Sequence, residues 1–386
     1  MVPLRDYFEA SIRQHLRRGE HLVGSIPKPT TLPQEFHRLV LTCNGELEQA
    51  LRELEALLKE PKMLLQEYQP ERLRRFRRAI QQISLLENTC VAALTRNNAD
   101  DSFLTRLVDY ITREISYPLL PPIVTSLSQN YFHIYPFLNL LFVPLGEGSF
   151  LLHLPDLYHE LGHPLITARY NPHVKPYQAA LWETLSLTFE YIATERRKEK
   201  RGRGPKSFIF YLELWERSWI DWAVEFFCDL FAIYTLGPAF AWSHLHLCAK
   251  SNEPPFRVPL TNASSHPSNN ARMRVMLYGL RLIGFGEEAD QIEQRWNQLL
   301  SISGAEVQAE YLRCFPDNIL ESIAIKAYEG VYSSGFRAVS PDTDLPIHNI
   351  LNQAWNVFWT TPAKFSNWEK GAVSDLHKLT TGLSVS

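Results

Sequence analysis

The chain of 386 residues reads as mainly α, with a small sheet at most and an α+β arrangement as the alternative. Two observations predict this. Apolar residues recur at three- and four-residue steps through long stretches, which is the period of a half-buried helix. Against that, Asn139-Leu140-Leu141-Phe142-Val143 is a short apolar run closed by Pro144 and Gly146, the pattern of a strand.

The elements follow in order. Leu47, Ala50, Leu51, Leu54, Leu57 and Leu58 form one helical stripe, and Leu73, Phe76, Ile80, Ile83, Cys90 and Leu94 form a second. Pro61 and Pro70 mark the turn between them, so two long antiparallel helices sharing one seam are expected. A further helix after Ser102 would bury Phe103, Leu107, Val108, Ile111 and Ile115. Pro118, Pro121 and Pro122 end it and mark a domain boundary. Leu154-Pro155-Asp156 starts the next helix, with proline in its first turn and a carboxylate near its positive end. Helical patterns then run from Tyr177 to Glu195, and from Phe208 to Tyr234 before Gly237-Pro238. Others lie around Ile292-Trp296-Leu299 and Ile319-Ile323-Ala327. The expected organisation is an N-terminal helical domain over 1–122, a core over 123–285 and a C-terminal helical region over 286–386 packed on that core.

Composition excludes some function classes. Hydrophobic content of 45% and charged content of 21% are those of an ordinary globular protein, and a net charge of −3 gives no general attraction to nucleic acid or membrane. The basic run from Arg196 to Lys206 is expected to be an exposed connection; as a nucleic-acid site it lacks interleaved aromatics. Cys43, Cys90, Cys228, Cys248 and Cys314 are scattered and odd in number, as in a protein that keeps its thiols reduced. Met1 to Gly24 carries charges throughout and has no apolar signal region. No stretch reaches the ~18 apolar residues of a membrane helix. A cytoplasmic protein is expected.

One pentapeptide carries specific chemistry. In His159-Glu160-Leu161-Gly162-His163 the two histidines stand four apart, on one helix face, and can aim ring nitrogens at a single metal ion. Glu160 stands where it can reach a water on that metal, which is the arrangement of zinc hydrolases. Catalytic zinc needs a third protein ligand. Glu225 is the candidate, because Trp222-Ala223-Val224-Glu225-Phe226-Phe227-Cys228-Asp229 is so apolar that a carboxylate buried there needs a partner. Asp229, one turn later, can accept the free ring N–H of a zinc-bound histidine and orient it. His153, His173 and the pair His244 and His246 are weaker candidates, and Tyr234 is a candidate oxyanion donor.

These blocks resemble the gluzincin metallopeptidases. They are most similar to the group containing the prenyl-protein (CAAX) endopeptidases and the bacterial heat-shock membrane peptidases. That group carries H-E-[LIF]-[GA]-H, then E-F-x-A-D-x-x-A, then H-P-P-x-x-x-R. Here the third block reads His266-Pro267-Ser268-Asn269-Asn270-Ala271-Arg272, and Cys228 and Ser268 depart from the pattern. The match covers three short blocks between about 150 and 280, and the family's membrane spans are missing. The resemblance implies a zincin-like core, one Zn2+ ion, His266 as oxyanion donor and Arg272 bracing its segment or pairing with a nearby carboxylate. The expected function is zinc-dependent peptide hydrolysis of a peptide or protein substrate, with Glu160 as general base. Two alternatives stay open. One is a catalytically inactive zinc-binding scaffold whose N-terminal helices meet a protein partner. The other is a di-iron carboxylate protein, for which no second E-x-x-H stands in place.

Overall fold

The computed structural model describes residues 4–129, 131–201 and 207–381. It is mainly α with one three-stranded sheet. Its described residues divide into two compact units.

The first unit comprises the described residues up to Val108, with Pro122–Gly146 and Thr381. Helix α1 (Leu4–Ser25) packs on α2 (His37–Lys59), which packs on α3 (Gln69–Leu86). The seam is the one the heptad-like stripes predict: Leu47, Ala50, Leu54 and Leu57 of α2 meet Phe76, Ala79 and Ile83 of α3. A π-helical turn (Glu87–Val91) leads into the short α4 (Ala92–Thr95) and then into α5 (Ala99–Glu114), whose residues to Val108 belong here. Strands β1 (Ile123–Ser128), β2 (His133–Tyr135) and β3 (Leu140–Pro144) are ordered β1-β3-β2. β1 runs parallel to β3, pairing Ile123 with Leu140, and β2 is antiparallel, pairing Ile134 with Leu141.

The sheet corrects the expected boundary at 122. Ile123, Leu138, Leu140 and Phe142 are buried in the same apolar cluster as the α2–α3 seam, so the strands belong to the helical unit. The chain does change unit at Pro121–Pro122, but in the opposite sense to the expected one: Asp109–Pro121 before it belongs to the second unit and Pro122–Gly146 after it to the first.

The second unit is Asp109–Pro121 with Glu147–Thr380. It holds α6 (Asp156–Thr167), α7 (Lys175–Arg201), α8 (Ser207–Leu236), α9 (Pro238–Lys250) and α10 (Asn269–Leu282). It also holds α11 (Gly286–Ser303), α12 (Ala309–Cys314), α13 (Asp317–Ser333), α14 (Pro346–Thr360) and α15 (Pro362–Thr381) as far as Thr380. The expected division at 285 is therefore absent, since α10 packs on α11 and α13, and α13 packs on α7 and α8. α8 is the axis of the unit. Its second half is buried from Glu225 to Leu236 and, apart from Glu225, Asp229 and Thr235, is apolar or aromatic all round, as a helix wrapped by others must be. α6, α7, α10 and α13 all pack on it.

The basic run is shorter than its sequence suggests. Arg196 to Arg201 continue α7, with Arg196 paired to Glu216 and Lys198 to Glu195; residues 202–206 lie outside the described residues. The five cysteines are free. Among the described residues, no helix is long and apolar enough to cross a membrane.

Candidate metal centre

α6 carries the pentapeptide, and α8 lies against it at unusually close range. The reason is Gly162. A Cβ built there would stand 2.9 Å from both Cα and Sγ of Cys228, so the two helix backbones meet where glycine has no side chain. Alanine favours a helix over glycine by about 1 kcal/mol, yet the obstacle here is backbone, which cannot rotate away. Gly162→Ala is therefore expected to destabilise the protein by about 1–3 kcal/mol, the usual cost of overpacking. It should also weaken metal retention by parting α6 from α8. A urea midpoint equal to the wild type would show that the close approach is not required.

This approach brings four predicted residues together. His159 and Glu160 are buried, and His163 is half-buried at the same end of α6. His159, Glu160 and His163 each bring one ligand atom within 4.8 Å of the others. Glu225 also reaches both imidazoles, through its two oxygens: Oε2 is 3.5 Å from His159 Nε2, and Oε1 is 4.0 Å from His163 Nε2. Donor atoms around a tetrahedral zinc with bonds of about 2.0–2.2 Å stand roughly 3.3–3.5 Å apart. The set of two imidazoles and one carboxylate thus fits such an ion with small side-chain rotations. Glu160 is left beside it.

Asp229 sets the direction of His159. It is fully buried, and its Oδ1 lies 2.8 Å from His159 Nδ1. An ionised carboxylate can only accept, so Nδ1 must carry a hydrogen, and Nε2 is the ring nitrogen turned towards Glu225. Arg272, at the start of α10, clamps the same carboxylate through Nε to Oδ2 at 2.8 Å and through Nη2 to Oδ1. Phe240 of α9 stacks on the His159 ring with centroids 5.9 Å apart and planes 17° apart.

The electrostatics favour a cation. Burial opposes charge on His159, but its hydrogen bonds to Asp229 and Glu225 outweigh this and raise its pKa to about 10. The negative field that holds a proton on the ring equally attracts a metal ion. Burial, reinforced by the His159 charge, holds His163 down at about 4, in the neutral form that ligates metals. Burial would raise Glu225, yet the hydrogen bond and charge of His159, with Arg272, keep it down at about 2. Burial also works against ionisation of Asp229, but the Arg272 charge prevails and holds its carboxyl well below the usual range. Glu160 lacks such partners, and burial pushes it up to about 7. The Cys228 thiol, buried and facing carboxylates, is pushed well above its ordinary value and stays neutral.

The other candidates separate. His266 is exposed, with its Nε2 3.9 Å from Glu225 Oε1 and its Nδ1 2.9 Å from Ser265 Oγ, so it stands at the rim of the site. A cavity of about 280 Å³ adjoins it, lined by Trp222, Arg257 and Ser268 among others. Tyr234 is excluded as an oxyanion donor, because its buried hydroxyl already donates to the Ala324 carbonyl at 2.6 Å. His244 is buried with Nε2 3.2 Å from the Asn269 carbonyl oxygen, His246 packs on Trp355 and Phe358, and His153 pairs with Glu147. His173 sits in the 3-10 turn before α7, its N–H bonded to Asn171.

Several supporting residues have no signal in the motif. The Tyr117 hydroxyl donates to the Leu161 carbonyl, and Ser243 donates to Asp156 in the first turn of α6. Gln178 donates to the carbonyls of Leu165 and Ala168 at the C-terminal end of α6, where the helix leaves its last carbonyls without partners of its own. Phe240 is the one that touches a candidate ligand. No protein family, curated protein or solved structure matches the chain, so these residues and their geometry carry the functional reading.

Proposed function

We propose that the protein is a zinc-dependent metallopeptidase of the gluzincin kind. One observation carries this reading: Glu225 lies within 4.0 Å of the ring nitrogens of both His159 and His163, with Glu160 beside the same histidines. His159, His163 and Glu225 would hold one zinc ion. When bound, it supplies a positive charge that acidifies water and polarises a carbonyl.

The chain's own residues do the rest. Glu160 takes the proton of the attacking water and delivers it to the nitrogen of the departing amine. Burial supports that role, because a carboxylate near neutrality accepts and returns a proton with little penalty either way. Asp229 keeps the hydrogen of His159 on Nδ1, and Arg272 keeps Asp229 ionised. His266, whose Nε2 is 3.9 Å from Glu225 at the rim, would donate to the oxygen of the scissile carbonyl as charge develops on it.

The test begins with metal content. Protein purified without chelator should hold about one equivalent of zinc, since three ligands of this type make one site. Removing it with 1,10-phenanthroline should abolish hydrolysis of a quenched-fluorescent peptide library, and zinc should restore it. Protein that holds no zinc, and takes none up, overturns the proposal. Two equivalents of iron would replace it with the di-iron alternative, and zinc without hydrolysis would replace it with the scaffold alternative.

A further inference from the structure

A pair of thiols in the first unit has no part in the metal centre. Cys43 of α2 and Cys90 of the π-helical turn are both 0% exposed and lie in one apolar cluster with the α2–α3 seam. α2 packs against that turn, and the two thiols are hydrogen-bonded to each other. The other cysteines have different neighbours. Cys228 lies against Gly162, and Cys248 Sγ is 3.5 Å from His244 Nε2.

Two adjacent thiols can begin a metal site or close to a disulfide. A metal site needs further ligands. Among the described residues, the one group of three or more ligating side chains is that of α6, so the pair has none to recruit. The contact itself prepares the second course. The hydrogen bond from Cys43 is the main cause that lowers the Cys90 thiol, with help from Thr89 and against burial and the charge of Glu46. The same bond, with burial, raises Cys43. Cys90 therefore ionises first while Cys43 keeps its hydrogen, and the thiolate is the form that reacts.

We propose that Cys43 and Cys90 close to a reversible disulfide that staples α2 to the π-helical turn, with a peroxide as oxidant. The Cys90 thiolate attacks one oxygen of hydrogen peroxide, the O–O bond breaks, and the departing hydroxide takes up a proton to leave as water. Cys90 is then a sulfenic acid. Cys43 gives up its proton and its sulfur attacks that of Cys90. The S–O bond breaks, and hydroxide leaves with the proton as a second water. Two thiols are thereby oxidised by two electrons, and one peroxide is reduced to two waters. Neither sulfur is exposed, so the reaction runs through a local opening. The π-helical turn is where opening costs least, because the regular helical ladder is interrupted there and α4 beyond it is four residues long. Peroxide is small enough to enter through such an opening. The proposal does not depend on the zinc reading, since both thiols lie outside α6 and α8.

The test treats the full, folded, metal-free chain with hydrogen peroxide, removes the peroxide, and alkylates in denaturant. Of the five free cysteines of the reduced protein, three should then alkylate, the other two being closed. Mass spectrometry of the digest should find the Cys43 and Cys90 peptides joined, and dithiothreitol should part them. The oxidised protein should melt at least about 4 °C higher than the reduced one, as a staple closing a loop of this length predicts. Cys43→Ala and Cys90→Ala should each lose the cross-link and the oxidation-dependent rise, whereas Cys248→Ser should keep both. Each variant is compared with itself before and after peroxide, so a loss of stability from the substitution does not enter. If a core variant fails to fold, the joined peptides of the wild type decide alone. Five alkylated cysteines after treatment, a different pair joined, or sulfinic acid on Cys90 in place of the cross-link would overturn the proposal.

Discussion

Replacing Glu160 with glutamine is expected to leave zinc content unchanged and to lower peptide hydrolysis by about 10²–10⁴-fold, the range that a positioned general base contributes. The amide keeps the volume of the side chain and loses the basic oxygen. Glu160 is not the third ligand in this reading, which gives that place to Glu225 at 3.5 Å from His159 and 4.0 Å from His163, so the metal should stay. The loss corresponds to about 3–5 kcal/mol of transition-state stabilisation at roughly 1.36 kcal/mol per decade. Folding should not suffer, since burial already disfavours charge at this position and a neutral amide is no harder to bury. The measurement pairs metal analysis with hydrolysis of the quenched-fluorescent library. Loss of zinc along with activity would mean that Glu160 is a ligand, and unchanged hydrolysis would remove it from the reaction.

The contrast between Glu160 and Glu225 explains why part of this site is legible in sequence. The spacing of His159 and His163 is a local property of one helix and needs no tertiary information. Glu225 and Asp229 stand out because carboxylates within Trp222 to Phe231 violate the apolar pattern around them, and a buried charge demands a partner. Their partners turn out to be His159 and Arg272. Phe240, Tyr117 and Ser243 violate nothing. An aromatic, a tyrosine and a serine on helices are ordinary, and their roles arise only once α9 and the segment before β1 are placed against α6.

The same distinction runs through the fold. α2 and α3 are legible from their stripes. α1 carries a comparable stripe of Phe8, Ile12 and Leu16, but charges crowd between those positions and mask it. β2 is three residues long, too short for any alternation to register. The assignment of the sheet to the first unit depends on which face buries Ile123 and Leu140, a fact of packing that prolines at 118–122 cannot report.

Asp229→Ala should destabilise the protein by about 3–5 kcal/mol, the cost of stranding one member of a buried ion pair. Arg272 would keep its charge, since a guanidinium does not give up its proton in proteins, with its main acceptor gone. It would then also repel a cation at the metal centre, while His159 would lose the acceptor that directs its Nε2. Zinc affinity should fall by at least the 10–100-fold that loss of such an orienting partner costs. The double variant Asp229→Leu/Arg272→Met separates the two effects. With both charges removed, the buried space is apolar and stability should recover by several kcal/mol relative to the single variant, since exchanging a whole buried pair for apolar groups is often neutral. Zinc affinity should recover only in part, because the repulsion is gone but His159 is still undirected. Denaturant unfolding of the metal-free proteins and competitive zinc titration read the two quantities apart. Additive stability losses in the double variant would show that Asp229 and Arg272 do not act as a pair. Full recovery of zinc affinity would show that Asp229 serves the fold and not the metal.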